Sequence, residues 1–217
     1  MRHDPVKATV LSVKLIASAA PPLLKSLKVP KGYGSIGVMT TDCDDVSYTA
    51  LDEATKKARV RVVYARSMYA GSSNASTKLA GEFIGILAGP DPAEVQSGMQ
   101  AAIHFIENEA SFFSADDQGR IVYFAHCISR SGSYLSRQAG VAEGTPLAYL
   151  IAPPLEAVYA LDAALKAADV EMKVFYGPPT ETNFAGGLLA GDQAACKAAC
   201  EAFAEKVCYV SDKPLVL

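Results

Sequence analysis

The sequence predicts an α/β (α+β) protein made of two tandem copies of one small domain, each a sheet of about four strands backed by two main helices. Residues 50–60 read ALDEATKKARV and residues 160–170 read ALDAALKAADV, so seven of eleven positions are identical at an offset of 110. GILAG in the first half also matches GLLAG in the second, and the strand-like run around 10–18 corresponds to that around 121–129. Three matches in the same order indicate an internal duplication.

The elements of the first copy follow from the periodicity of apolar side chains. Residues 10–18 and 59–64 alternate apolar and polar residues, as half-buried strands do. Residues 46–58 place apolar side chains at helical spacing, and Asp91 followed by Pro92 is a typical helix start. The predicted order is strand 10–18, helical turn 21–28, strand 36–39, helix 46–58, strand 59–64, loop 67–78, strand 83–88 and a helix from Asp91.

The second copy repeats this order. We predict strand 120–128, turn 132–140, strand 147–151, helix 155–168, strand 171–176, a loop, strand 186–190 and helix 193–207. The last helix carries a predicted buried stripe of Cys196, Ala199, Cys200, Phe203 and Val207. Because the sequence turns polar near residues 112–118, we place the domain boundary there and expect domains at 1–113 and 114–217.

Composition excludes several classes of function. The chain has 217 residues, half of them hydrophobic, and a net charge of −3 without a run of Lys or Arg, which argues against nucleic-acid binding. No apolar stretch is long enough to cross a bilayer, and the N-terminus lacks the apolar core of a signal peptide. The odd number of cysteines, five, indicates reduced thiols in a cytoplasmic protein.

The second copy resembles the bacterial microcompartment shell domain in two long segments, LAYLIAPPLEAVYALDAALKAADVEMKVFYGPP and GGLLAGDQAACKAACEAFAEKV. The first copy opens on the strand that closes the standard domain, so the order of elements is expected to be circularly permuted. From about residue 10 to residue 207 the chain is similar to the tandem-domain shell proteins of bacterial microcompartments, in particular those of ethanolamine utilization.

This resemblance implies a structural protein and not an enzyme. The expected assembly is a homotrimer, a pseudohexamer that packs edge to edge with other shell proteins of a cytoplasmic microcompartment. Small pores and a gated central pore would pass small molecules, with ethanolamine as a ligand. A duplicated domain in one chain converts six-fold into three-fold assembly, which agrees with the repeat. No nucleic acid or membrane is expected as a partner.

An acidic cluster formed by Asp42, Asp44 and Asp45 stands where the second copy has PPLE. One interpretation is the stabilisation of a helix start by carboxylates. The other is capture of a small organic cation, because an ammonium group needs a carboxylate and hydrogen-bond acceptors. The resemblance favours the second and places Asp44 and Asp45 with Glu82 and the Phe112 region at a small pore that binds ethanolamine.

Two loops occupy equivalent positions in the copies, residues 67–78 and 177–184, and the resemblance places them at the symmetry axis. The first is long and rich in small residues, and the second carries two prolines and a phenylalanine that could act as a plug. Two ordinary surface loops are the alternative. The candidate pore and gate residues are Tyr69, Gly71, Ser72, Ser73, Asn74, Thr182, Asn183 and Phe184.

Other chemistry has little support in the sequence. The three histidines lack the spacing of a metal site, and His126 and Cys127 are neighbours on a strand, so their side chains point to opposite faces. No cofactor fingerprint is present, and contact with cobalamin is suggested by family association alone. The alternative function is a trimeric small-molecule-binding regulatory protein, for which the same acidic cluster would serve.

Overall fold

The computed structural model describes residues 1–68 and 79–216, and these residues form ten strands and six helices. In chain order the elements are β1 (Pro5–Val6), β2 (Val10–Ile16), α1 (Pro21–Ser26), β3 (Ser35–Thr41), α2 (Asp44–Lys57), β4 (Arg61–Ser67), β5 (Phe83–Gly89), α3 (Pro92–Asn108), β6 (Phe112–Ser114), β7 (Val122–Ile128), α4 (Ser133–Ala139), β8 (Leu147–Ala152), α5 (Pro154–Ala167), β9 (Val170–Tyr176), β10 (Ala185–Gly191) and α6 (Gln193–Asp212).

The chain divides into two compact units. The first-copy unit consists of Ala8–Ala110 and Gly132–Leu135, and the second-copy unit consists of Met1–Lys7, Ser111–Ser131 and Ser136–Leu217. The two units therefore differ from the predicted domains at 1–113 and 114–217, because short segments of each predicted domain belong to the other unit. Met1–Lys7 join the second-copy unit because β1 pairs with β6, and Gly132–Leu135 join the first-copy unit because their backbone is hydrogen-bonded to α2.

The first-copy unit is a four-stranded antiparallel sheet in the order β2–β3–β5–β4, with α2 and α3 packed against it. The predicted start of α3 is confirmed, since the Asp91 carboxylate accepts the N–H of Glu94 at 2.9 Å and Pro92 opens the first turn. Val95, Met99 and Ile106 are buried along the inner face of this helix.

The second-copy unit contains the same four-strand order, β7–β8–β10–β9, extended on the β7 side by β6 and β1. The duplication that the sequence predicts is therefore seen in the structure as a strand order common to both units. The two added strands were not predicted, because two or three residues are too few to show alternation, and residues 112–114 fell within the expected polar boundary.

The long helix α6 buries the predicted stripe of Cys196, Ala199, Cys200, Phe203 and Val207. It continues to Asp212, five residues beyond the predicted end at residue 207. Cys208 and Val210 are also buried, so apolar contacts continue past that point and hold the extra turn in the helix.

Candidate small-molecule site at the start of helix α2

The acidic cluster lies at the turn from β3 into α2. Cys43 occupies the N-cap position with an extended backbone (φ −146°) and makes no side-chain cap bond. Asp44 and Asp45 are therefore the first residues of the helix and not its cap. Their negative charge is favourable there, because the helix N-terminus is the positive end of its dipole. The Asp44 Oδ1 accepts the N–H of Asp45 at 2.9 Å.

Hydroxyl groups fix the conformation of this turn. The hydroxyls of Thr41 and Ser47 lie 2.6 Å apart, and both donate to the carbonyl oxygen of Cys43, at 2.8 and 2.6 Å. The Asp42 Oδ1 accepts the N–H of Thr9 at 2.6 Å. These hydrogen bonds fix the backbone of the turn that carries the acidic side chains.

Glu82 is brought to this turn by the entry into β5. Its N–H donates to the carbonyl of Thr41 at 2.9 Å, and its own carbonyl accepts the N–H of Met68 at 2.7 Å. The preceding residue must be glycine, since Gly81 has φ +63° and an added Cβ would lie 2.0 Å from the Thr41 carbonyl oxygen. This close approach sets Glu82 beside the end of β3.

The carboxyl groups at the site influence one another. Burial raises the pKa of Glu82, and the negative charges of Asp44 and Asp42 raise it further. Asp44 and Asp45 are 7% and 6% exposed. Burial and the charge of Asp45 also raise the pKa of the Cys43 thiol well above its ordinary value, which makes this cysteine a poor nucleophile. Several carboxyl groups that are partly withdrawn from water and close together favour the approach of a cation.

An aromatic side chain that the sequence analysis did not single out borders the site. The Tyr48 hydroxyl lies 2.9 Å from the Ser67 hydroxyl, and its ring packs edge-on against Phe83 at 4.9 Å. Burial raises the pKa of Tyr48, and Asp44 and Asp45 add to that effect. The sequence offered a weak signal for this residue, since tyrosine on the buried side of a helix commonly finds a polar partner for its hydroxyl.

Asp44, Asp45 and Glu82 all belong to the first-copy unit, in which Glu82 is close enough to Asp44 for the charge of Asp44 to raise its pKa. Phe112 belongs to the second-copy unit, where it lies in β6 and its ring stacks on Phe124 at 5.4 Å.

The structure places three of the eight predicted pore and gate residues. Tyr69, Gly71, Ser72, Ser73 and Asn74 lie outside the described residues. Thr182, Asn183 and Phe184 stand in the connection from β9 to β10, in which Asn183 has a left-handed backbone (φ +65°).

Phe184 is held by its own unit. Its carbonyl accepts the N–H of Thr180 at 2.8 Å, its N–H donates to the Thr180 hydroxyl at 3.2 Å, and its ring lies 5.7 Å from that of Phe112. A role as a plug would require this ring to leave Phe112.

Asp52 is a second group that the sequence analysis missed. It is fully buried in α2 and accepts the N–H groups of Gly132 and Leu135 at 2.6 and 2.8 Å. These bonds lower its pKa, whereas burial has the larger, opposite effect and raises it. The signal that could have found it is the duplication itself, since aspartate stands at the same place in both copies, at 52 and 162.

Across residues 1–68 and 79–216, no group of three or more His, Cys, Asp or Glu side chains is arranged to hold a metal ion. Among the helices of the same residues, none combines the length and the apolar character needed to cross a membrane.

Comparison with known proteins places the fold. The sequence profile of the BMC domain matches residues 35–115. The bacterial microcompartment shell protein EutL of Clostridium perfringens is 63% identical over 99% of both chains. The chain belongs to the EutL family of bacterial microcompartment shell proteins.

Further members of the EutL family agree over the full length. EutL of Escherichia coli K12 is 48% identical over 98% of this chain and 97% of its own. The crystal structure of the ethanolamine utilization protein EutL from Leptotrichia buccalis superposes with a TM-score of 0.97 at 64% identity and covers all of both chains. The predicted fold class and the expectation of a shell protein are therefore confirmed, and the relatives are named as shell proteins and not as enzymes.

Proposed function

We propose that this chain forms a homotrimeric, pore-bearing tile in the shell of an ethanolamine-utilization microcompartment. Membership of the EutL family supports the shell role, and the name of the Leptotrichia buccalis relative supports the link to ethanolamine. The observation that carries the proposal of a small-molecule site is the group of carboxyl side chains at the start of α2, Asp44, Asp45 and Glu82.

The repeat supports the trimer. The strand order β2–β3–β5–β4 of one copy recurs as β7–β8–β10–β9 in the other. Three chains with two such copies each supply six similar domains, which can surround one axis as a pseudohexamer. The connection at residues 177–184 and its counterpart at 67–78 would line the central pore and gate it.

The proposed ligand of the small pore is ethanolamine in its ammonium form. A buried or half-buried carboxylate binds an ammonium group through charge-assisted hydrogen bonds, and the hydroxyls of Thr41 and Ser47 lie at the same turn. We propose that the tile needs no resident cofactor, and contact with cobalamin stays a prediction from family association.

Calorimetric titration with ethanolamine tests this site. The double variant Asp44→Asn with Glu82→Gln removes two negative charges without changing the shape of the side chains, and we expect it to abolish the heat of binding. Glu156→Gln is the matched control, since Glu156 stands in the first turn of α5 in the other copy. Binding by the double variant with native affinity would exclude the site.

A further inference from the structure

Helix α2 is covered, about two turns beyond its acidic start, by a short segment from much later in the chain, residues 132–135. Asp52 is fully buried there, and its two carboxylate oxygens accept the N–H groups of Gly132 and Leu135 at 2.6 and 2.8 Å. The Thr55 hydroxyl accepts a third N–H of this covering segment at 3.0 Å. Because a carboxylate forms strong hydrogen bonds with backbone N–H groups, Asp52 fixes the position of the covering segment on α2.

The covering segment carries the ring of Tyr134 onto the ring of Tyr48. The two rings are stacked, with their centroids 6.2 Å apart and an interplanar angle of 15°. Tyr134 is buried, and it directly precedes Leu135, whose N–H is bonded to Asp52. The carboxylate of Asp52 therefore also fixes the backbone from which the Tyr134 ring projects.

Tyr48 links this aromatic contact to the acidic site. It stands one turn after Asp44 on α2, so the two side chains lie on the same face of the helix. Burial raises the pKa of Tyr48, and the charges of Asp44 and Asp45 raise it further, so its hydroxyl lies within the electrostatic reach of both. Its ring also packs edge-on, at 4.9 Å, against Phe83, the residue that follows Glu82. A shift of the Tyr48 ring would therefore change the surroundings of the carboxyl groups at the site.

We propose that Asp52 and Tyr134 are positioning residues for the small-molecule site. Asp52 fixes the covering segment, Tyr134 on that segment packs against Tyr48, and Tyr48 forms a wall beside the carboxyl groups that bind the cation. Asp52 and Tyr134 thus act on binding through Tyr48, without contacting the ligand. This inference rests on the proposed function and identifies the residues that set the shape of the proposed ethanolamine site.

Comparison of the two copies supports this role. Asp162 on α5 is the counterpart of Asp52 at the offset of 110, yet it is exposed and forms an ion pair with Lys166 at 2.6 Å. Val158, which is 47% exposed, stands in place of Tyr48. The second copy also lacks the acidic turn, since PPLE occupies that position. The buried aspartate, the stacked tyrosine and the acidic turn therefore occur together in the first copy.

Calorimetric titration of the full chain with ethanolamine tests the role of the Tyr134 ring. Tyr134→Leu removes the ring and leaves the bonds of Asp52 in place, and we expect the Kd to rise about two- to tenfold, as for the loss of one aromatic pair. Tyr134→Phe keeps the ring, and we expect it to bind with native affinity. A segment that only stabilises the fold would lower the unfolding temperature of Tyr134→Leu and leave the Kd unchanged.

Asp52→Asn tests the other end of the same path. Asparagine presents an amide N–H where the carboxylate accepts one, so a bond to the covering segment is lost and the Kd should rise as it does for Tyr134→Leu. Asp162→Asn is the matched control, because it makes the same change at the counterpart on α5, and we expect the native Kd. If Asp52→Asn does not fold, the two variants of Tyr134 decide the question.

The position of Tyr48 is followed directly by fluorine NMR of protein labelled with 3-fluorotyrosine. Loss of a line in Tyr48→Phe identifies the line of Tyr48. We expect this line to shift in Asp52→Asn, because the ring of Tyr134 moves relative to it, and to keep its native position in Asp162→Asn. An unshifted line in folded Asp52→Asn would overturn the role of Asp52.

The binding results separate the positioning role from the proposed function. Native protein that does not bind ethanolamine would overturn the site and the positioning role together. Binding by native protein with an equal Kd for Tyr134→Leu would overturn the positioning role alone. Weak binding by Tyr134→Phe, equal to that of Tyr134→Leu, would also overturn it, because the stacked ring would then not be the group that matters.

Discussion

Glu82 belongs to the proposed site, and in its ionised form it lowers the stability of the fold. Its pKa lies above the ordinary value because the side chain is partly withdrawn from water beside Asp44 and Asp42. A carboxyl group whose pKa is higher in the folded than in the unfolded chain stabilises the fold at low pH. That contribution is lost as the pH rises through the folded-state pKa. At neutral pH the ionised Glu82 therefore lowers the free energy of unfolding.

We predict that Glu82→Gln raises the free energy of unfolding at pH 7, because the amide carries no charge to be desolvated. The difference from native protein should shrink as the pH falls and vanish near pH 4, below the ordinary glutamate pKa of 4.5. Urea unfolding over this pH range measures it. A loss of stability of Glu82→Gln at pH 7 would contradict the explanation.

The same side chain should tie ligand binding to pH. A cation binds the ionised form of Glu82, so affinity for ethanolamine should fall on acidification at a higher pH than an ordinary glutamate would allow. The stabilising and the binding forms of Glu82 are thus opposite protonation states, as is common where a functional group is held at the expense of stability.

At the scale of elements, helix α2 carries two sets of polar side chains, one at its start and one further along. Its first turn carries the acidic site, and about two and three turns further on Asp52 and Thr55 hold the segment 132–135. The segment is fixed by bonds from its backbone N–H groups to a buried carboxylate, which are among the stronger hydrogen bonds in proteins. This arrangement requires Gly132 to lie very close to α2.

Gly132→Ala should therefore destabilise the protein by about 1–3 kcal/mol, because the new methyl group meets backbone and hydroxyl atoms that have little room to move. Gly34→Ala is the control, since a Cβ there meets nothing within 4 Å, and we expect a change below about 0.5 kcal/mol. Thermal unfolding of both variants gives the comparison. Equal stability of the two would show that residues 132–135 can shift away from α2 at no cost.

Periodicity and the repeat predicted most of the elements, and the misses have physical reasons. Helices such as α3 were predictable because a cap and a period of 3.6 residues are local features. Strands β1 and β6 pair with each other across more than 100 residues, and the last turn of α6 is bonded to Arg2 through Asp212. The contact of Asp52 with Gly132 spans 80 residues, and no local pattern announces it.

At the site, the acidic residues were visible in the sequence because they differ between the copies. Asp44 and Asp45 have no acidic counterparts at 154 and 155, and Glu82 stands at the entry to an apolar strand. The hydroxyl network of Thr41 and Ser47 was not predicted, since threonine and serine at a helix start are common and carry no distinct signal.

At the scale of the whole molecule, the duplication is the dominant feature. The two units share a strand order but differ in the acidic turn, in the short helices α1 and α4 and in the connections before β5 and β10. A chain that fuses two diverged copies can specialise one copy for a ligand while the other keeps the general fold. This freedom is not available to six identical single-domain chains.

Electron microscopy of the overexpressed chain checks the role as a tile. We expect sheets or tubes, because trimers with six similar edges can pack in two dimensions, whereas a regulatory protein of this fold would stay as discrete particles. Dispersed trimers at every protein concentration and salt concentration would favour the regulatory role.

The stack of Tyr48 on Tyr134 should also contribute to a spectroscopic signal of the folded protein. The chain has ten tyrosines and no tryptophan, so its near-ultraviolet circular dichroism reports tyrosine rings held in fixed, asymmetric surroundings. Release of the segment 132–135 from α2 should lower that signal while the far-ultraviolet spectrum stays unchanged.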